Sequence, residues 1–252
     1  MTPKSIIITG ATSGIGCAVA EIYIGRGWRV GLAARREEIL RQMAEGRENV
    51  RYAVCDVCAP DGGVPALQKL ADELGGMDVM LHCSGIGRMN PELRFEEELP
   101  TIETNVRGWT AVMDWAFRYF SERGGHLAAI SSIASLRGLA PAPAYSASKA
   151  YQAHYLEALR QRALANRLPV SVTNIRPGFV RTPLLENPDV FFWVVSVESA
   201  ARGIVRAMDR RRAVCTVTRR WRLIVPVMKL VPNRLIALVL RMTSRKRAER
   251  IR

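Results

Sequence analysis

Apolar positions along this chain of 252 residues fall into two patterns, short continuous runs and longer stretches with helical periodicity. Continuous runs of β-branched residues, such as Ile6-Ile7-Ile8, are typical of strands that are buried on both faces of a sheet. Runs of this kind predict seven strands, near residues 4–9, 28–33, 50–55, 77–82, 125–131, 169–175 and 213–217. The stretches between them predict helices near 15–26, 36–46, 61–75, 99–122, 144–168 and 197–209.

The alternation of strands and helices indicates an α/β fold, a Rossmann-type doubly wound parallel sheet of about seven strands with helices on both faces. Right-handed crossovers would place a ligand at the carboxyl ends of the strands. The hydrophobic content of 48% is enough for one large domain, and no repeat or linker divides the chain. We predict a cofactor-binding and catalytic domain over residues 1–217, followed by a basic, apolar helical extension over residues 218–252.

The first strand runs directly into a glycine-rich turn that opens a helix. Glycines 10, 14 and 16 allow a tight backbone turn and a close approach to a diphosphate, and the helix start offers unpaired N–H groups. A tight turn without a ligand is the alternative.

Tyr145 and Lys149 lie four residues apart, thirteen residues after Ser132. On a helix, positions i and i+4 share a face, so we expect the Lys149 charge to lower the pKa of the Tyr145 phenol. A tyrosine of this kind exchanges a proton with a carbonyl or alcohol oxygen, and Ser132 can hold the same oxygen. Taken alone, the pair is also typical of a solvated helix face.

Together these residues resemble the short-chain dehydrogenase/reductase family in its single-domain form. Residues 9–16 match its TGxxxGIG turn, and residues 177–182 match its PGxxxT stretch. The resemblance implies a catalytic group of Ser132, Tyr145, Lys149 and Asn105, where Asn105 organises a water of the proton relay. It also implies cofactor contacts from Thr9, Gly10, Thr12, Ser13, Gly14, Ile15, Gly16, Asp56, Val57, Ser84, Gly85, Tyr145, Lys149, Pro177, Gly178, Val180 and Thr182.

One motif departs from the family pattern. The family usually has Asn-Asn-Ala-Gly after the fourth strand, whereas this chain has His82-Cys83-Ser84-Gly85. Two interpretations stay open: His82 is a hydrogen-bonded core histidine that replaces the first asparagine, or it makes the site weaker and sensitive to pH.

The end of the second strand bears on the choice of cofactor. Ala34 stands where NAD-dependent members of the family carry a carboxylate, and Arg35 and Arg36 follow it. A guanidinium here would pair with a 2′-phosphate, so we predict NADP(H). Solvated arginines that open a helix are the alternative.

Five cysteines in an enzyme pattern indicate a reducing compartment. Cys55 and Cys58 have CxxC spacing, but no second ligand pair accompanies them, so we predict no metal site. The first strand begins within a few residues of Met1, so we expect no signal peptide and a cytoplasmic location.

The net charge of +14 is concentrated at the end of the chain. Residues 1–205 contain 22 Lys+Arg and 21 Asp+Glu, whereas residues 206–252 contain 15 and 2. Apolar stretches between the basic clusters are interrupted before they reach the roughly 20 residues needed to span a bilayer. We therefore predict peripheral contact of residues 218–252 with the cytoplasmic face of a membrane. Packing of this segment over the cleft or against a second subunit is the alternative, and no motif indicates nucleic-acid binding.

These features predict an NADP(H)-dependent oxidoreductase that interconverts a carbonyl and a secondary alcohol. The aromatic cluster at residues 191–193 favours a lipophilic small-molecule substrate. A non-catalytic nucleotide-binding sensor or scaffold, or an NAD-dependent alcohol dehydrogenase, is the alternative. The resemblance implies a homodimer or homotetramer built through the helices near 99–122 and 144–168. The stretch from Trp109 to Phe120 has more apolar surface than one core face needs, which is consistent with a dimer.

Overall fold

The computed structural model of the protein describes residues 3–185 and 191–237. Within them, seven parallel strands form one sheet in the order β3-β2-β1-β4-β5-β6-β7. The strands are β1 (Ser5–Thr9), β2 (Arg29–Ala34), β3 (Val50–Val54), β4 (Val79–His82), β5 (Gly125–Ile130), β6 (Val170–Pro177) and β7 (Val214–Val217). All seven predicted strands are confirmed, and so is the doubly wound parallel architecture.

Helices cover both faces of the sheet. They are α1 (Gly14–Gly25), α2 (Glu37–Ala44), α3 (Val64–Glu73), α4 (Phe95–Ile102), α5 (Trp109–Arg123), α6 (Pro143–Ala165), α7 (Val197–Asp209) and α8 (Arg219–Leu230). The helix predicted near 99–122 is in fact three segments, because a π-helical turn over Glu103–Gly108 joins α4 to α5. A 3₁₀ turn over Ile133–Leu136 follows β5.

The core consists of two apolar layers, one on each face of the sheet. Trp109, Trp115, Phe117 and Phe120 on α5 are all buried in the second layer. The apolar surface of α5 is therefore used inside the subunit, and the argument for a dimer from this surface was wrong.

The C-terminal extension begins as expected, with a basic helix, α8, directly after β7. Its last part, residues 238–252, and residues 186–190 of the loop after the PGxxxT stretch lie outside the described residues. Among the described helices, none combines the length and the apolar character required to cross a bilayer.

Candidate active site

The turn between β1 and α1 forms a cradle that only glycines permit. Gly10 and Gly14 have φ angles of 65° and 53°, where residues with a side chain are strained. A methyl group at Gly16 would lie 2.4 Å from the carbonyl oxygen of Gly10. Ser13, the N-cap of α1, makes no side-chain capping bond, so the first N–H groups of α1 are available to an anion.

Two loops from other strand ends close on this cradle. A methyl group at Gly10 would lie 2.9 Å from the backbone nitrogen of Ser84, which follows β4. One at Gly14 would lie 3.1 Å from the Cγ2 atom of Thr182, which follows β6. The structure thus brings predicted cofactor residues from three strand ends close together.

The arginines after β2 lie beside the same turn. The guanidinium of Arg36 donates hydrogen bonds to Thr12 Oγ1 at 2.9 and 3.2 Å. Arg35 is exposed and makes no hydrogen bond or ion pair with the described residues. Ala34, the last residue of β2, supplies no carboxylate. Arg36 is therefore as well placed as Arg35 for the predicted contact with a 2′-phosphate, and it is Arg36 that is held against the glycine turn.

Asp56 and Val57 follow β3 at the same edge of the sheet. Asp56 is exposed, and its Oδ1 accepts a hydrogen bond from the backbone nitrogen of Cys58 at 2.9 Å. The carbonyl of Val57 lies 2.0 Å from where a Cβ of Gly108 would stand. This close approach positions the π-helical turn that carries Asn105.

His82 is a neutral core residue that ties β4 to β1. Its Nδ1 atom lies 3.0 Å from Thr9 Oγ1, and the same oxygen accepts a hydrogen bond from the backbone nitrogen of Cys83 at 3.2 Å. Burial, with a smaller effect of the Lys149 charge, lowers the pKa of His82 to about 3. The side chain therefore stays uncharged at physiological pH, which supports the core interpretation over a pH-sensitive site in that range.

Asn105 is buried at the centre of the site. Its side chain accepts a hydrogen bond from the backbone nitrogen of Ile86 at 2.9 Å and donates to the Ile86 carbonyl at 2.7 Å. The Nδ2 atom also donates to Ser148 Oγ at 3.0 Å. A π-helical turn at this point is typical of functional sites, because it turns a helix carbonyl out of the usual hydrogen-bond ladder.

Gln152 is a site residue that the sequence analysis missed. Its Nε2 atom donates to the Asn105 carbonyl at 2.9 Å, and its Oε1 atom accepts from Lys149 Nζ at 2.9 Å. Lys149 Nζ also donates to the Ile130 carbonyl at 3.1 Å. The position of Gln152, three residues after Lys149 on the same helix face, was the available signal.

Ser132, Tyr145 and Lys149 converge where β5 ends and α6 begins. The Ser132 hydroxyl is hydrogen-bonded to the Tyr145 phenol, and Lys149 Nζ lies 5.9 Å from the centroid of the Tyr145 ring. Burial lowers the pKa of Lys149 to about 8. A methyl group at Gly87 would lie 2.6 Å from the Tyr145 ring, so this glycine leaves the space that the phenol occupies.

The expected lowering of the Tyr145 pKa by Lys149 was wrong in direction. Burial raises the pKa of the Tyr145 phenol, and the hydrogen bond from Ser132 only partly opposes this effect. Desolvation wins because the low-dielectric surroundings disfavour the phenolate. Tyr145 is therefore a neutral phenol at pH 7, which is the form that donates a proton.

An aromatic wall packs against the PGxxxT stretch and is formed by Phe179, Phe191, Phe192, Trp193 and Trp221. Trp221 of α8 is at its centre, with ring centroids 5.6 Å from Phe179, 5.5 Å from Phe192 and 5.6 Å from Trp193. Trp221 Nε1 lies 2.1 Å from where a Cβ of Gly178 would stand. Only 3% of Trp221 is exposed, so α8 packs directly on the PGxxxT stretch.

A second contact holds the extension to the loop after Ser132. The Arg137 guanidinium donates to Asn233 Oδ1 at 2.5 Å, and α8 packs against the 3₁₀ turn at Ile133–Leu136. The described part of the extension thus borders the cleft. The sequence alone did not predict that Trp221, rather than a loop residue, would fill the space above Gly178.

The cysteine pair serves local contacts. Cys55 Sγ donates to the Gly63 carbonyl, and Cys58 Sγ faces Thr104 Oγ1. Within residues 3–185 and 191–237, no group of three or more His, Cys, Asp or Glu side chains is placed to hold a metal ion.

Comparison with known proteins agrees with this geometry. A family model described as short chain dehydrogenase matches residues 4–189. The chain is 33% identical over 247 residues to an uncharacterized oxidoreductase of Myxococcus xanthus (strain DK1622), covering 92% of this chain and 94% of the relative. It is 30% identical over 247 residues to an uncharacterized oxidoreductase of Mycobacterium tuberculosis (strain CDC 1551 / Oshkosh), covering 93% and 96%.

Solved structures show the same fold. An actinorhodin polyketide ketoreductase with NADPH superposes with a TM-score of 0.74 at 26% identity, covering 86% of this chain and 97% of that one. A short-chain type dehydrogenase/reductase from Mycobacterium marinum gives a TM-score of 0.74 at 25% identity, covering 85% and 92%. The family uses a nicotinamide cofactor, which the glycine cradle fits. The chain is therefore an oxidoreductase that belongs to the short-chain dehydrogenase/reductase family.

Proposed function

We propose that this protein is an NADP(H)-dependent oxidoreductase that interconverts a carbonyl and a secondary alcohol on a lipophilic substrate, with Tyr145 as the acid/base. The observation that carries the proposal is the convergence of Ser132, Tyr145 and Lys149 beside the glycine cradle. A proton donor, a hydrogen-bond donor for the oxygen and a buried cation are the groups that carbonyl reduction requires.

The residues present fit NADP(H). The backbone of Gly10, Gly14 and Gly16 would hold the diphosphate, with Arg35 and Arg36 at the 2′-phosphate and Thr182 near the nicotinamide end. When bound, NADPH supplies the hydride that reduces the carbonyl carbon. Support for NADP(H) over NAD(H) comes from the missing carboxylate at Ala34 and from the Arg36 guanidinium, which points at Thr12 of the cradle.

In the proposed reduction, Ser132 holds the carbonyl oxygen and Tyr145 gives it a proton. The raised pKa of Tyr145 keeps the phenol protonated before the reaction, which favours the direction from carbonyl to alcohol. The Lys149 ammonium then stabilises the phenolate that Tyr145 becomes. In this proposal a water organised by Asn105 returns the proton to Tyr145, while Gln152 holds both Lys149 Nζ and the Asn105 carbonyl.

A lipophilic substrate is supported by the chemistry of the wall beside the site. The five aromatic side chains offer an extended apolar surface, and 60% of Phe192 and 37% of Trp193 are exposed toward the solvent side of it. Such a wall gains free energy from burying apolar carbon, on the order of 25 cal/mol per Å². A small charged ketone would gain nothing from this surface.

The experiment is NADPH oxidation with a series of ketones and aldehydes that differ in chain length at constant headgroup. We expect kcat/KM to rise with chain length and to fall for short charged ketones. A Trp221→Ala variant should flatten this dependence, whereas Leu164→Ala, a substitution at an exposed residue of α6 away from the cleft, should leave it unchanged. Preference for small charged ketones would contradict the lipophilic substrate.

Assembly as a homodimer or homotetramer, a cytoplasmic location and the division at residues 217 and 218 stay predictions. The sensor or scaffold alternative requires that no substrate-dependent oxidation of NADPH occurs with any member of the series. The NAD-dependent alternative requires a preference for NAD(H) in binding and turnover.

A further inference from the structure

Five arginines line one groove at the edge of the sheet. They surround a cavity of about 840 Å³ between α7, β7 and the first turn of α8, and they are Arg206, Arg210, Arg212, Arg220 and Arg222. No Asp or Glu is among the residues that line it. All five arginines are exposed. We call this feature the arginine groove.

The positive charge of the arginine groove is not compensated by neighbouring carboxylates. Asp209, the acidic residue closest along the chain, is paired with Arg26 at 3.1 Å. Within the described parts of the chain, none of the five arginines makes an ion pair. Like charges gathered in one concave surface repel one another, so the groove has a strong preference for an anionic partner.

The position of the arginines on α8 points the same way. Arg220 and Arg222 lie in the first turn of α8, which contains no acidic residue. The helix macrodipole places partial positive charge at this end, where cations are unfavourable. A local arrangement that costs stability is typical of a functional surface, and a bound anion would remove the cost.

Two leucines of α8 are strongly exposed. At about 100° per residue, Leu223 and Leu230 point roughly 200° and 180° away from the buried Trp221. Leu223 is 79% exposed and Leu230 is 82% exposed. Trp221 therefore fixes α8 to the domain, while Leu223 and Leu230 point away from it. We call this pair the leucine ridge.

We propose that the arginine groove and the leucine ridge together form a docking surface for an anionic phospholipid bilayer. Arginines that meet phosphate headgroups, next to apolar side chains that enter the acyl boundary, are the chemistry of an interfacial helix. Trp193 lines the groove and also belongs to the aromatic wall, so docking would place the mouth of the cleft at the membrane.

Other occupants fit the surface less well. In a symmetric dimer, the same patch faces itself, which would set arginines against arginines. Nucleic acid would pair with the arginines but would leave the exposed leucines without a partner. The combination of uncompensated positive charge and outward leucines favours the membrane.

The test is co-sedimentation of the full chain with sucrose-loaded vesicles, either of phosphatidylcholine alone or with about a third phosphatidylglycerol. We expect strong binding only to the anionic vesicles. Replacing Arg206, Arg210 and Arg212 by glutamine should weaken the partition constant by about 100-fold, since each arginine near an anionic surface contributes about fivefold. Leu223→Ser with Leu230→Ser should weaken it by at least about tenfold.

Matched controls come from the opposite face of the sheet. Replacing Lys69, Arg162 and Arg167 by glutamine removes three positive charges, as many as in the groove variant. Leu164→Ser removes a leucine that is 73% exposed on α6. These controls should bind like the wild type. NADPH affinity should be equal in all the variants, which verifies their folding without use of the proposed reaction.

Three results would overturn the proposal. They are equal binding to neutral and anionic vesicles, loss of binding in the controls to the same extent as in the groove variants, and an absence of binding to either vesicle. In a fourth outcome, binding depends on the arginines, is unchanged by Leu223→Ser and Leu230→Ser, and is competed by DNA. This outcome would assign the groove to nucleic acid instead. Each outcome is independent of whether the enzyme reduces a lipophilic carbonyl.

Discussion

Replacing Lys149 with methionine tests how strongly the fold disfavours the charge of its buried ammonium. Lys149 is 4% exposed, and its Nζ atom is held by the Ile130 carbonyl and by Gln152. Burial lowers the pKa of this group to about 8, from its ordinary value of 10.5. Because the charged form is disfavoured in the folded state, the wild type and the variant should differ in how their stability depends on pH.

Proton linkage gives the sign and size of this difference in the free energy of unfolding. Below pH 8 the ammonium is charged in both states, so the folded protein bears the whole cost, on the order of 3 kcal/mol. As the pH rises from 8 through 10.5, the folded state releases its proton first and the cost disappears. Between pH 7 and 9.5, the free energy of unfolding of the wild type should rise by about 2 kcal/mol relative to Lys149→Met.

The assay is urea unfolding of both proteins at several pH values, followed by tryptophan fluorescence. The neighbouring thiol does not interfere, because burial raises the pKa of Cys83 to about 12 and keeps it protonated in this window. A difference in the free energy of unfolding between the two proteins that stays constant within about 0.5 kcal/mol from pH 7 to 9.5 would refute the buried, desolvated ammonium.

Three further variants probe other parts of the site. Trp221→Ala should lower the free energy of unfolding by about 3–5 kcal/mol in urea titrations, because it removes the centre of the aromatic wall; an effect below about 1 kcal/mol would contradict its burial. The free energy of unfolding of the wild type should fall by about 3 kcal/mol between pH 7 and 4 because His82, with a folded pKa of about 3, takes up a proton only on unfolding. His82→Asn should remove this loss, and an unchanged pH dependence in the variant would contradict a buried neutral histidine. Arg36→Ala should raise the Kd of NADPH about tenfold with little change for NADH in binding titrations; equal losses would refute a phosphate contact.

The elements that position the site could be predicted because their causes are local in the sequence. Seven apolar runs gave seven strands, and glycines 10, 14 and 16 gave the cradle, since no other residue tolerates those angles and contacts. The boundary of α3 was less accurate. Gly62 and Gly63 both have positive φ, so the helix begins at Val64 rather than near residue 61.

The remaining features depend on contacts between distant parts of the chain. The π-helical turn forms where Gly108 packs on the Val57 carbonyl, a contact that spans 51 positions of sequence and leaves no periodic signal. The direction of the Tyr145 pKa depends on how completely the fold excludes water. Trp221 fills the space above Gly178 only because α8 turns back over β7 and the 3₁₀ turn at Ile133–Leu136, and the apolar pattern of the extension did not show this.

The most direct test of the central claim is turnover and binding by Tyr145→Phe. The variant keeps the ring against Gly87 and removes only the hydroxyl that is hydrogen-bonded to Ser132. We expect the Kd of NADPH to stay within about twofold of the wild-type value, while substrate-dependent NADPH oxidation falls by 10²-fold or more. Turnover near the wild-type rate with intact NADPH binding would contradict Tyr145 as the proton donor and, with it, the proposed mechanism.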